Sequence, residues 1–103
     1  VSLSWYQLFA RDFAGALASS EEAINLDRAN LAAETNHAHA LLFLDRAQEA
    51  EAIYLQHRGE KVFAGSDEKW EQAILTDFDD LEKAEITHPG IARLRVILKP
   101  PSK

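Results

Sequence analysis

The chain has 103 residues, 47% of them hydrophobic and 27% charged, a formal net charge of −6, and neither cysteine nor methionine. That length and apolar fraction suit one compact domain with its own core. The acidic balance speaks against a protein that grips phosphates, and the lack of cysteine excludes disulfides, thiol nucleophiles and Cys-ligated zinc or iron–sulfur sites.

The chain begins at Val1, which with the absence of methionine points to a processed product or an excised fragment. The lack of a signal peptide therefore says little about location, and a cytoplasmic setting is the default expectation. Ser2 to Ala10 reads as a first helix carrying Leu3, Tyr6, Leu8 and Phe9. Phe13, Ala16, Leu17, Ser20, Ala23 and Ile24 recur at three- and four-residue steps, so the second helix runs from Phe13 to Leu26. The stretch from Leu26 to Asn30 is its turn. A third helix covers Leu31 to Leu44, and Asp45 is the expected cap of a fourth over Ala47 to Arg58, ended by Gly59. Residues 60–65 form a loop anchored by Val62 and Phe63.

Ser66 is expected to cap the next helix, with Asp67 and Glu68 in the first turn where the dipole favours acids. Trp70, Ile74, Phe78, Leu81 and Ile86 give that helix one long apolar stripe. Thr87 or His88 then caps a short last helix, with Pro89 at its first position and Ile91, Leu94, Val96 and Leu98 on it, stopped by Pro100 and Pro101. Sustained two-residue alternation is absent, so the fold class is all-α. No apolar run approaches the roughly 18 residues that cross a membrane, and membrane insertion is not expected.

The chain repeats itself at an offset of 34 residues. Leu8-Phe9 falls on Leu42-Phe43, Ala16-x-Ala18 on Ala50-x-Ala52, and small Ser4 on small Ala38. Each half is helix, turn, helix. In the second copy Ala38 is followed by Leu41, and Ala50 by Tyr54; the first copy has Gln7, Phe13, Ala16, Ala23 and Ile24 to the same scheme. This pattern resembles the tetratricopeptide repeat, whose small residues let paired helices approach and whose aromatics fill the opposite holes. Three positions depart from it: Arg28 in place of proline, Asp45 in place of glycine, and Ser20 in place of an aromatic. The resemblance covers residues 1–59, with a first helix that starts about four residues late.

Residues 66–103 do not continue the repeat. They look like the capping helix, short last helix and tail that close a solenoid, similar to tails of bacterial tetratricopeptide proteins. The architecture implied is a two-repeat helical-hairpin solenoid with C-terminal capping helices. Two repeats fall below the usual three, which makes the cap, an upstream part or self-association necessary.

The residues offer little for catalysis. His37 and His39 are two apart and point to different sides of a helix, His57 ends another helix, and His88 suits capping before Pro89. No His-Glu-x-x-His spacing, phosphate-binding glycine loop or Gly-x-Ser-x-Gly elbow occurs. The acidic run Asp77, Asp79, Asp80, Glu82 and Glu85 lacks calcium-loop glycine and spacing, and reads as a solvated helix face. Neither an enzyme, a metal nor a cofactor is expected.

The family resemblance implies a concave groove for a partner helix or peptide. Its residues here are Trp5, Leu8 and Phe9 from the first copy and Asn36, His39, Leu42 and Phe43 from the second, flanked by Ser2, Ala32 and Thr35. Asn36 matches an asparagine that holds a ligand backbone in peptide-binding members. Ser2, Ala32 and Thr35 supply no basic clamp, so a C-terminal carboxylate ligand is disfavoured and apolar contacts are expected. The function implied is a non-catalytic protein-interaction module that does not bind nucleic acid. The competing expectation is a structural C-terminal segment of a larger repeat protein whose activity lies in another domain, with the groove residues packed against the chain's own later helix or against missing N-terminal repeats.

Overall fold

Capping side chains and turn geometry divide the backbone into helices. In the computed structural model, which describes residues 3–62 and 67–98, these are α1 (Leu3–Phe9), α2 (Phe13–Leu26), α3 (Leu31–Phe43), α4 (Ala47–Gln56), α5 (Trp70–Lys83) and α6 (Gly90–Ile97). The described residues form no strand beyond one isolated antiparallel bridge between Lys61 and Lys69. The fold is all-helical.

The α2 start is made by Asp12, whose carboxylate accepts from the Gly15 N–H at 3.0 Å. A Cβ on residue 15 would crowd the Asp12 carboxylate and the Gln7 amide, so both side chains would have to swing aside and the cap would be disturbed. Asn30 caps α3 in the same way, accepting from Ala33 N–H at 3.0 Å.

Three helices end on the same turn. After α1, α3 and α5 the chain enters the left-handed region at Arg11 (φ 64°), Asp45 (φ 67°) and Glu85 (φ 62°). The next amide then reaches back to the helix: Asp12 N–H to Gln7 O at 2.9 Å, Arg46 N–H to Leu41 O at 2.8 Å, and Ile86 N–H to Leu81 O at 2.9 Å. These are Schellman turns built without glycine. Asp45 thus takes the glycine's place at the end of α3 instead of capping α4; Arg46 holds the cap position, and no side chain caps α4.

The entry to α5 also differs from expectation. Ser66 and Phe63 lie outside the described residues, and Asp67 and Glu68 precede the helix. The Gln72 side chain accepts from Lys69 N–H at 2.8 Å, and Trp70 N–H donates to Glu60 O at 2.7 Å. Glu71 caps the preceding turn instead, accepting from Gly59 N–H at 2.8 Å. These bonds tie the end of α4 to the start of α5, so the helix begins at Trp70. Helix α6 begins at Gly90, so Pro89 holds the cap position instead of the first helical one, and the His88 ring before it accepts from Gly90 N–H at 2.9 Å.

Helix α3 sits at the centre, packed between α2 and α4, with α1 against both α2 and α3. Eight of its residues are buried, from Ala33 to Leu42, because neighbours cover it on several sides. Ala38, Leu41 and Leu42 share the larger core with Ala50 and Tyr54 of α4, the α5 stripe Trp70, Ile74 and Phe78, and Ile91, Leu94 and Leu98. A smaller core joins Leu8, Ala16, Ala40, Leu81 and Ile86, with Trp5, Phe9, Phe13 and Phe43 packed around it. Ala16 and Ala50, 34 residues apart, are both fully buried, and so are Leu8 and Leu42.

Candidate interaction surface

Four of the seven residues expected in a groove lie inside the protein. Leu8, His39 and Leu42 are fully buried and Asn36 is 5% exposed, whereas Trp5, Phe9 and Phe43 are half-buried. The chain's own later residues provide the cover: Asp77 and Phe78 reach His39, Leu81 and Ile86 share a core with Leu8, and Ile91 and Leu94 share one with Leu42. The flanking residues Ala32 and Thr35 are half-buried and buried, and Ser2 lies outside the described residues.

His39 joins three helices. Its Nδ1 is 2.7 Å from the Tyr54 hydroxyl on α4 and its Nε2 is 3.0 Å from Asp77 Oδ2 on α5. Burial, and then the nearby Asp77 charge, push the Tyr54 hydroxyl well above its ordinary pKa of 10.0, so it keeps its proton. Both ring nitrogens of His39 are engaged, Nδ1 by the Tyr54 hydroxyl and Nε2 by the Asp77 carboxylate. The rings of Phe78, Tyr54 and Trp5 surround it at 5.5, 5.7 and 6.4 Å. With no exposed atom and both nitrogens engaged, His39 holds the helices in place and meets no outside molecule.

The other histidines also stand against carboxylates. His57 lies 3.3 Å from Glu34 and 3.0 Å from Glu60, with its ring 4.8 Å from Trp70. His37 lies 3.6 Å from both Glu21 and Glu34, and His88 Nε2 bonds Asp45 at 2.8 Å. Among the described residues no group of three or more His, Asp or Glu side chains is arranged to hold a metal ion. The acidic run of α5 divides: Asp77 turns inward onto His39, while Asp79 and Glu82 pair with Arg95.

The apolar side chains left open lie elsewhere. Leu3 is 63% exposed, Tyr6 61% and Leu26 82%. With exposed Ala10, Leu3 and Tyr6 form a stripe at steps of three and four along the outer side of α1. Beside it a groove of about 310 Å³ runs between Leu3 and Ser4 of α1 and Ser19, Glu22, Ala23 and Leu26 of α2. A second groove, about 270 Å³, lies between α4 and α6 over Leu42 and Leu94. The Arg93–Glu51 ion pair, 2.9 Å long, joins its two walls, and the guanidinium holds the Glu51 carboxyl below the usual range.

The outer α1 stripe has a signal in the sequence that the groove expectation passed over. The helix reads LSWYQLF and contains no charged residue, so no charge marks its solvent side. No protein-family model, curated protein or solved structure matches the chain. No helix among the described residues is long and apolar enough to cross a membrane.

Proposed function

We propose that this chain is a non-catalytic protein-interaction module built from two tetratricopeptide-like hairpins, with α5 and α6 as their cap. The hairpins α1–α2 and α3–α4 agree at several paired positions 34 residues apart. Ser4 and Ala38 are both buried, Phe9 and Phe43 both half-buried, and left-handed Arg11 corresponds to left-handed Asp45. Small residues at the helix contacts and a repeated turn support a stack of like units.

The observation that carries the interaction reading is the uncharged helix α1, apolar on its inner and outer sides, with Leu3 and Tyr6 facing water. A helix of that composition gains by being covered on both sides. Half-buried Trp5, Phe9 and Phe43 each keep part of their surface open. The same exposed face favours a second reading, a structural segment whose outer face is covered by another part of its own polypeptide.

Photo-crosslinking in the natural gene product tests this. A benzoylphenylalanine at Tyr6 reports the outer side of α1, and one at Phe9 the inner side. An adduct to a separate polypeptide that also binds the purified chain saturably supports the module. Adducts confined to the same polypeptide overturn it in favour of the structural segment.

A further inference from the structure

We infer that His57 is a proton-operated clasp: its doubly protonated ring ties α3 to the junction of α4 and α5, and that junction loosens when the ring loses its charge.

Histidine is the side chain whose charge ordinarily changes near neutral pH. A neutral imidazole has one N–H donor and one acceptor nitrogen, whereas the imidazolium has two donors. The four histidines divide on that ground. His88 Nδ1 accepts from Gly90 N–H at 2.9 Å, which leaves the ring proton on Nε2, where Asp45 accepts at 2.8 Å. That ring is complete when neutral and would lose a bond by gaining a proton. His39 has the Tyr54 hydroxyl on one side and a single carboxylate, Asp77, on the other. His57 has a carboxylate at each nitrogen, Glu60 Oε2 at 3.0 Å from Nδ1 and Glu34 Oε2 at 3.3 Å from Nε2. With a neutral ring one of these carboxylates faces a lone pair. The imidazolium donates to both.

The surroundings act in the same direction. His57 is the C-cap residue of α4, where the helix dipole favours a cation. Its ring centroid lies 4.8 Å from that of Trp70, within the range of a cation–π contact. The side chain is only 12% exposed; burial opposes the charge, but it also leaves the ion pairs little screened. Of the other charges at this junction, Glu71 accepts from Gly59 N–H, Arg58 is exposed, and Lys61 lies 3.8 Å from Asp67. On the far side of Glu34 stands His37, 3.6 Å from Glu34 and from Glu21 of α2, with the Glu49–Arg46 pair of α4 within electrostatic reach. Those 3.6 Å separations are too long for hydrogen bonds, so His37 adds charge but no clasp.

The two carboxylates sit on parts that must stay together. Glu34 belongs to α3, and the backbone carbonyl of Glu60 accepts from Trp70 N–H at 2.7 Å, where α5 begins. The folded chain thus holds on His57 a proton that the unfolded chain gives up more readily. Its stabilising effect is complete on the acid side of the ordinary histidine range and is lost as pH rises through and beyond that range.

The test is urea unfolding of the whole chain between pH of about 8 and 5.5, above the ordinary carboxylate range, with NMR of the ring nitrogens. At the acid end both His57 nitrogens should carry protons. Between the two limits the folding constant of the parent should gain about tenfold more than that of His57→Gln. Glu60→Gln, on the open side of the ring with a side chain 51% exposed, should fold normally and lose part of the same gain. If His57→Gln does not fold, the Glu60→Gln curve decides. Curves of the folded variants parallel to that of the parent overturn the inference, as does a His57 ring with a single protonated nitrogen at the acid end.

Discussion

At equivalent places the first hairpin has Trp5 and Ser20, and the second has His39 and Tyr54. The first puts its bulk on its first helix and the second on its second helix. Ser20 is buried and uses its hydroxyl locally, donating to Leu17 O at 2.9 Å. Tyr54 is also buried but reaches across to His39, and through it to Asp77 of α5. The second hairpin thereby gains a third layer, sealed by Trp70, Ile74 and Phe78, while the outer side of the first stays bare at Leu3 and Tyr6. Two copies of one unit thus diverge through a few side chains: one becomes the core of the domain and the other its open edge. Stability should follow the same division.

The largest expected effect breaks the sealed half. Trp70 is fully buried and its indole N–H donates to Tyr54 O at 2.8 Å. Trp70→Ala should cost about 3–5 kcal/mol, a large share of the stability of a domain this size. The half-buried Trp5→Ala should cost distinctly less, and thermal or urea unfolding of the pair measures the contrast. Equal losses would mean that the two halves are held alike.

The buried network comes next. Tyr54→Phe removes the donor to His39 Nδ1 and should cost about 1–3 kcal/mol. It also predicts a pH signature. The folded Tyr54 pKa is raised, by burial first and by Asp77 second, so its contribution is complete below the ordinary value of 10.0. As pH rises past that value towards the higher folded one, the unfolded chain loses a proton that the folded chain keeps, and stability falls. Unfolding titrations should show the parent losing about 1.4 kcal/mol per pH unit more than Tyr54→Phe in that alkaline range. Parallel curves would place the hydroxyl in water.

A smaller effect, opposite in sign, concerns the turns. Glu85 is exposed and left-handed at φ 62°, in a Schellman turn that favours glycine. Glu85→Gly should stabilise the chain by about 1 kcal/mol through relief of that strain. Asp45→Gly should gain less, because the Asp45 side chain also accepts from His88. A destabilised Glu85→Gly in chemical unfolding would contradict the turn geometry.

Much of the helical layout was legible in the sequence, for local reasons. The Phe13–Leu26 span follows from three- and four-residue spacing, and Trp70, Ile74, Phe78 and Leu81 form a buried stripe on α5, whereas Ile86, expected on the same helix, lies beyond the turn at Glu85. Helix ends were less legible where distant groups set them. The start of α5 depends on Glu60 and Gln72 meeting its first backbone amides, which spacing alone does not reveal. The site was least legible. His39 sits on α3 among alanines, and nothing within fifteen residues of it shows that Asp77 will return to it from another helix. An acidic run that looks uniformly solvated hides one carboxylate that turns inward. The bare face of α1 was readable from its lack of charge, yet inner and outer sides are both apolar and only packing tells them apart.

Helix α5 is an integral layer over the second hairpin, and α1 is the open edge of the domain. Native-state hydrogen exchange measures this directly, helix by helix. Core amides of α3, α4 and α5 should exchange together, only on global unfolding, and α1 should open at a lower free energy. Exchange of α5 independently of α3, at or below the free energy of α1, would instead make the cap a loosely held appendage and contradict the layered core.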